Sequence, residues 1–141
     1  MTTPEKIGNA HLQKDAYVYV RQSTLQQVSE NAESTARQYN LKSRATQLGW
    51  KSEQVVVIDE DLGKSGYTST QRAGFQRLVV DVGLGKVGAV LGLEVSRLAR
   101  NCSDWYRLLE ICALTETLIV DEEAIYYYSA TFLLAVLVYK V

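Results

Sequence analysis

One serine and four arginines are the residues of this chain whose types and spacing could do chemistry together. Tyr17-Val18-Tyr19-Val20-Arg21-Gln22-Ser23 alternates aromatic and β-branched residues before turning polar, the composition of a strand interior that runs into a turn. Side chains two apart on a strand share a side, so Tyr19, Arg21 and Ser23 line up and a guanidinium stands beside a hydroxyl. Asp59 closes a second apolar run, Arg72 ends the loop after it, and Arg97 and Arg100 follow a third. Fixed cations around a hydroxyl suit a phosphate diester. Attack on phosphorus builds negative charge on the non-bridging oxygens, and guanidinium groups bind those oxygens bidentately while staying charged at any working pH. Such a set can stand in for the metal ion of many phosphoryl-transfer enzymes. A serine also needs activation. Asp59 or Asp61 could accept a proton or orient an arginine, and the residues alone leave that choice open. The plainer reading, in which Ser23 opens a turn and Arg21 is solvated, holds for the first stretch taken by itself.

These residues require strands to carry them. The first strand is predicted over Asp15–Arg21, with a polar leader over residues 1–14 that contains His11, expected at solvent. Ser34 is placed to cap a helix over about 35–48 ended by Gly49, with Ala36, Tyr39 and Leu48 toward the core. Val55-Val56-Val57-Ile58 reads as a fully buried strand. A long loop rich in Gly, Ser and Thr follows, then a helix over about 73–82 with Phe75, Leu78, Val79 and Val82 inward. Ala89–Leu93 is predicted as the third strand. Ser103 caps a helix to about Leu114 that turns Trp105, Leu108, Leu109 and Cys112 inward, and Thr117–Val120 is a fourth strand ending in Asp121. Strands alternating with helices predict an α/β fold: a mainly parallel central sheet of four or five strands with helices on both faces. Parallel strands bring their carboxyl ends to one edge, which is where the arginines and Ser23 would meet.

Composition narrows the partners. The 141 residues are 47% hydrophobic and 22% charged, with a formal net charge of −1, so any basic surface is local rather than global. With one histidine and two cysteines, the chain shows no metal-ligand spacing and no disulfide framework, and a reducing cytosol is the default compartment. Gly83, Gly85 and Gly88 follow a helix, whereas a dinucleotide fingerprint follows a strand. Gly63-Lys64-Ser65 lacks the earlier glycine of a phosphate-binding loop, since position 58 is Ile58. The apolar run 132–139 is too short for a membrane span, which needs about 20 residues. Tyr126–Tyr128 read as core or interface.

The ordered set Tyr19-x-Arg21-x-Ser23, Gln26-Gln27, Asp59 with Ser65-Gly66, Arg72, and Ser96-Arg97-Leu98-Ala99-Arg100 resembles the catalytic domain of the serine site-specific recombinases, the resolvase/invertase family, over roughly residues 15–121. Ser34–Tyr39 and the loop from Asp59 to Gly66 look most like the large-recombinase branch, which includes transposon-borne members. The resemblance implies that Ser23 attacks a scissile phosphate of double-stranded DNA, forming a 5′-phosphoseryl link and a free 3′-hydroxyl. Two dimers then form a tetramer, one half rotates, and the ends reseal without ATP, metal, nucleotide or other cofactor. It implies that Arg21, Arg97 and Arg100 contact the phosphate, that Arg72 and Asp59 complete the site, that Tyr19 supports the strand end, and that Gln26 positions the loop behind the nucleophile. It also implies a prokaryotic, nucleoid-associated, homodimeric or homotetrameric protein with no membrane contact.

Two features depart from the family pattern. Ser96 occupies a position that is commonly acidic, and residues 122–141 form an apolar tail in place of the dimerisation helix with its Glu-Arg pair. No helix-turn-helix, zinc spacing or basic arm announces a DNA-binding domain. The expectation is a catalytic domain that does not recombine efficiently by itself. Two other classes of function stay open: an inactive oligomerisation module of the same fold, and a regulator that binds a small anion on a flavodoxin-like sheet.

Overall fold

A computed structural model of the chain describes residues 7–20, 32–60, 73–93, 103–122 and 124–126. A short helix α1 (Asn9–Leu12) leads into β1 (Asp15–Tyr19), α2 (Ala32–Leu48), β2 (Val55–Ile58), α3 (Ala73–Gly83), β3 (Val87–Leu91), α4 (Ser103–Thr115), β4 (Leu118–Val120) and β5 (Ile125–Tyr126). The five strands form one sheet in the order β2-β1-β3-β4-β5, parallel except for the β4–β5 pair. This is the α/β architecture that the alternating pattern predicts.

The period of two along β1 divides the core. Tyr17 and Tyr19 face α3 and α4, where they meet Phe75, Leu78, Val82, Trp105, Leu108, Leu109 and Cys112. Ala16, Val18 and Val20 face the other way, toward Leu41, Ala45, Leu48 and Trp50. A β-bulge interrupts the alternation in β3: Asp15 pairs with Val87 but Ala16 pairs with Ala89, so Gly88 is skipped. Val87 and Val90 therefore end up on the same face. Gly88 also has no room for a side chain, because a Cβ there would lie 2.2 Å from the carbonyl oxygen of His11.

Several expectations are corrected. Helix α2 starts at Ala32, so Ser34 lies inside it rather than capping it; Ala32 and Glu33 are good helix formers that extend the helix. The inward stripe of α2 is Gln38, Leu41, Ala45 and Leu48, while Ala36 and Tyr39 are exposed, because the helix docks on the sheet along a line about one residue out of phase with the predicted one. Strand β2 is only partly buried over Val55–Val57, since it forms an edge of the sheet. Strand β1 ends at Tyr19, and β3 spans Val87–Leu91 because Val87 is drawn into pairing with Asp15. His11 is a clamp rather than a free solvent residue. Its Nδ1 accepts from Gly8 N–H at 3.0 Å and its Nε2 lies 3.0 Å from the carbonyl oxygen of Glu116, an arrangement that fits the Nε2–H tautomer. Ile7, in the same leader, is buried in the core on the α2 side.

Candidate functional site

The connections that leave β1 and β3 run in opposite directions: β1 passes through α2 to β2 on one side, and β3 passes through α4 to β4 on the other. Adjacent strands whose connections diverge leave a crevice outside their carboxyl ends, and ligands bind open α/β sheets there. The backbone ladder continues to this edge. Val20 N–H donates to the Ile58 carbonyl at 2.9 Å, and Gly92 N–H donates to the Val120 carbonyl at 2.9 Å. The edge is therefore rigid up to the residues at which β1, β2, β3 and β4 hand over to their connections.

Of the residues singled out by sequence, Tyr19 and Asp59 belong to the described part; Arg21, Ser23, Gln26, Asp61, Arg72, Arg97 and Arg100 lie outside the described residues. Tyr19 is 1% exposed, and its ring packs edge-on against Phe75 (centroids 5.7 Å apart) and Trp105 (5.9 Å). Phe75 and Trp105 are also 5.7 Å apart, closing a triangle of rings beneath the end of β1. Such pairs add about 0.5–1.5 kcal/mol each beyond their buried area. Tyr19 thus stiffens the strand from below and is buried away from any macromolecular substrate.

Asp59 follows β2 directly, and its side chain is exposed at the carboxyl edge. Tyr39 on α2 donates its hydroxyl to Asp59 Oδ2 at 2.6 Å. That hydrogen bond, with partial burial and the carboxylate charge behind it, pushes the Tyr39 phenol up to about 12. Next to Asp59, Glu60 accepts from Arg77 of α3 at 3.1 Å. Arg77 Nε is 3.9 Å from Asp81, and Asp81 in turn accepts from the Tyr17 hydroxyl at 2.7 Å. Both acids just beyond β2 are therefore tied to helices, one on each face of the sheet. At the end of β4, the 8%-exposed Asp121 accepts from Ala124 N–H at 2.8 Å and from the Tyr126 hydroxyl at 3.3 Å, which assigns it to the β4–β5 turn.

Tyr39, which the helical spacing predicts toward the core, belongs instead to this edge; no periodic signal marks it, because its partner is 20 residues away on another element. Among the described residues, no group of three His, Cys, Asp or Glu side chains is placed to hold a metal ion. No described helix is long and apolar enough to cross a membrane.

A family model described as Resolvase, N terminal domain, matches residues 16–135. The chain belongs to this family and is a serine-recombinase catalytic domain in fold. It is also 60% identical over 121 residues to a Sinorhizobium fredii (strain NBRC 101917 / NGR234) protein called uncharacterized protein y4bA/y4pH; the match covers 86% of this chain and spans 17% of that relative's length. No solved structure matches the chain.

Proposed function

We propose that this chain cleaves and rejoins double-stranded DNA by transesterification, with Ser23 as the nucleophile. The observation that carries this reading is the switch point between β1 and β3. In the sequence Arg21 and Ser23 come shortly after β1, and Arg97 and Arg100 come after β3, the strand that pairs with β1, which supports this reading. Membership of the resolvase family supports the same chemistry. In this reading the Ser23 Oγ attacks phosphorus, the P–O3′ bond breaks, and the leaving 3′-oxygen takes up a proton. The phosphoseryl ester retains the energy of the diester, so the reverse attack by a 3′-hydroxyl reseals the strand without ATP. Arg21, Arg97 and Arg100 bind the non-bridging oxygens. Arg72 completes the cluster, Asp59 or Asp61 orders it, and Gln26 holds the segment behind the nucleophile. Losing one arginine would slow cleavage about 10²–10³-fold, by analogy with single donors of oxyanion holes. Assembly as a dimer or tetramer, and descent from the large-recombinase branch, belong to the same proposal.

The test is covalent capture. The protein is incubated in EDTA with a randomised pool of duplex DNA, quenched in denaturant, and searched for protein–DNA adducts. The expected outcome is an adduct that survives denaturation, forms without divalent metal, and disappears in Ser23→Ala. An adduct that persists in Ser23→Ala overturns the proposal, and so does the absence of an adduct from a longer folded protein that carries this domain with a DNA-binding region and is offered its crossover site; that second outcome favours a non-catalytic oligomerisation module.

A further inference from the structure

A cavity of about 350 Å³ lies along α2, with Arg37, Asn40, Ser43, Arg44, Gln47 and Glu122 in its lining. Arg37, Asn40, Arg44 and Gln47 are spaced three and four apart, so they form one stripe of the helix, about 15 Å long at about 1.5 Å per residue. The stripe flanks Leu41, Ala45 and Leu48, whose burial against the sheet holds the helix in place.

The charges along this stripe do not cancel. Arg37 engages both oxygens of Glu122, through Nε at 3.1 Å and through Nη2, and Glu122 is the one carboxylate in the lining. Arg44 has no such partner. Its side chain makes no hydrogen bond or ion pair among the described residues, and its Nε is closed off from solvent. Covering a guanidinium N–H without an acceptor carries a desolvation cost that no protein group offsets. The cavity therefore holds one uncompensated positive charge, and the amides of Asn40 and Gln47 and the hydroxyl of Ser43 add neutral donors. A guanidinium among neutral donors suits a tetrahedral oxyanion, which accepts its bidentate fork and has further oxygens for the amides and the hydroxyl. The volume lies in the range of ligand pockets, so a phosphate fits together with part of the group that carries it.

We propose that this cavity binds a phosphate group, with Arg44 as its principal ligand. None of its residues belongs to the candidate catalytic set, so the site stands apart from the recombinase reading.

Inorganic phosphate is titrated into the full chain in chloride buffer and followed by phosphorus NMR line broadening. An Arg97→Gln/Arg100→Gln background keeps the candidate catalytic cluster out of the signal. The expected result is saturable binding that Arg44→Gln weakens about tenfold or more, the size set by losing hydrogen bonds from a charged group. No saturable binding, equal binding in Arg44→Gln, or acetate bound as tightly as phosphate overturns the inference. If Arg44→Gln fails to fold, Asn40→Ala/Gln47→Ala, at two exposed helix positions, must weaken binding about fivefold; wild-type affinity there overturns it. A short DNA duplex added to the phosphate complex identifies the source of the group. Displacement of the phosphate supports the site and assigns it to the DNA backbone, and retention supports it and assigns it to a small phosphate ester. Neither result requires a Ser23-dependent adduct, so the two readings fail separately.

Discussion

Tyr17 and Tyr39 each donate a phenol hydrogen bond to an aspartate, and each is thereby coupled to pH. For Tyr17, 4% exposed, burial first and the Asp81 hydrogen bond second push the phenol from 10.0 up to about 12. The folded state therefore favours the neutral phenol. Its contribution to stability is complete below the unfolded value near 10 and is lost as pH rises through the folded value near 12. Tyr17→Phe removes this dependence along with the hydrogen bond. Chemical unfolding measured between pH 10 and 12 should show wild-type stability falling more steeply than that of the variant; equal slopes would mean that the fold does not hold the Tyr17 phenol neutral. Arg37 and Glu122 make a two-pronged ion pair on the surface, but both side chains are well exposed, so water and salt screen most of its effect.

At the scale of elements, the helix ends show how the chain reaches the sheet's amino edge. Helix α2 ends with Gly49 at φ +125°, Gly49 N–H bonded to the Thr46 carbonyl and Trp50 N–H to the Ala45 carbonyl. Helix α3 ends the same way at Gly85, φ +77°, with Lys86 N–H on the Asp81 carbonyl. Both are Schellman motifs, in which a left-handed residue lets two orphan carbonyls be satisfied. Helix α4 uses Glu116 at φ +57° in that place, and there the His11 ring holds the Glu116 carbonyl from outside. Trp50 completes the amino edge by donating Nε1–H to the carbonyls of His11 at 3.1 Å and Lys14 at 3.0 Å. The backbone of α1 lies so close to Gly88 that any side chain there must displace one of them. Gly88→Ala should destabilise the domain by about 1–3 kcal/mol, the usual cost of overpacking. Gly83→Ala, where nothing lies within 4 Å, should be neutral or stabilising by up to about 1 kcal/mol. Urea unfolding of the two variants side by side checks both; a tolerated Gly88→Ala would mean that α1 does not dock as described.

The described residues form a sheet covered on both faces, with one buried cluster on each face. Cys112 lies at the bottom of the larger one, 0% exposed, its thiol pushed up to about 12 by burial. A thiol that is neither accessible nor ionised reacts only when the domain opens. In a Cys102→Ser background, modification of Cys112 by a chromogenic disulfide should therefore rise with denaturant along the global unfolding curve. Fast labelling in native buffer would show that α4 leaves the sheet without the rest of the domain. The same rigidity serves the carboxyl edge. Tyr19 is locked by two rings and Asp59 by a phenol, so the residues that hand over to the candidate catalytic segments start from fixed positions.

Local information was enough for the identity of β1 to β4 and of α2 to α4, whereas the short α1 and β5 carry no periodic signal. The alternation at Tyr17–Val20, the run Val55–Ile58 and the helical spacing of Phe75, Leu78 and Val82 each depend on neighbours a few residues apart, and a period of 2 or 3.6 records that directly. The order of Ser23 and the arginines along the chain is legible for the same reason: it is a one-dimensional pattern. Which strand forms an edge, which face of α2 meets the sheet, why Gly88 must be glycine, and that Tyr39 reaches Asp59 while His11 reaches Glu116 were decided only in three dimensions. Those contacts join residues from 20 to 105 positions apart, and they arise from the packing of rigid elements onto one sheet, which no short window of sequence encodes.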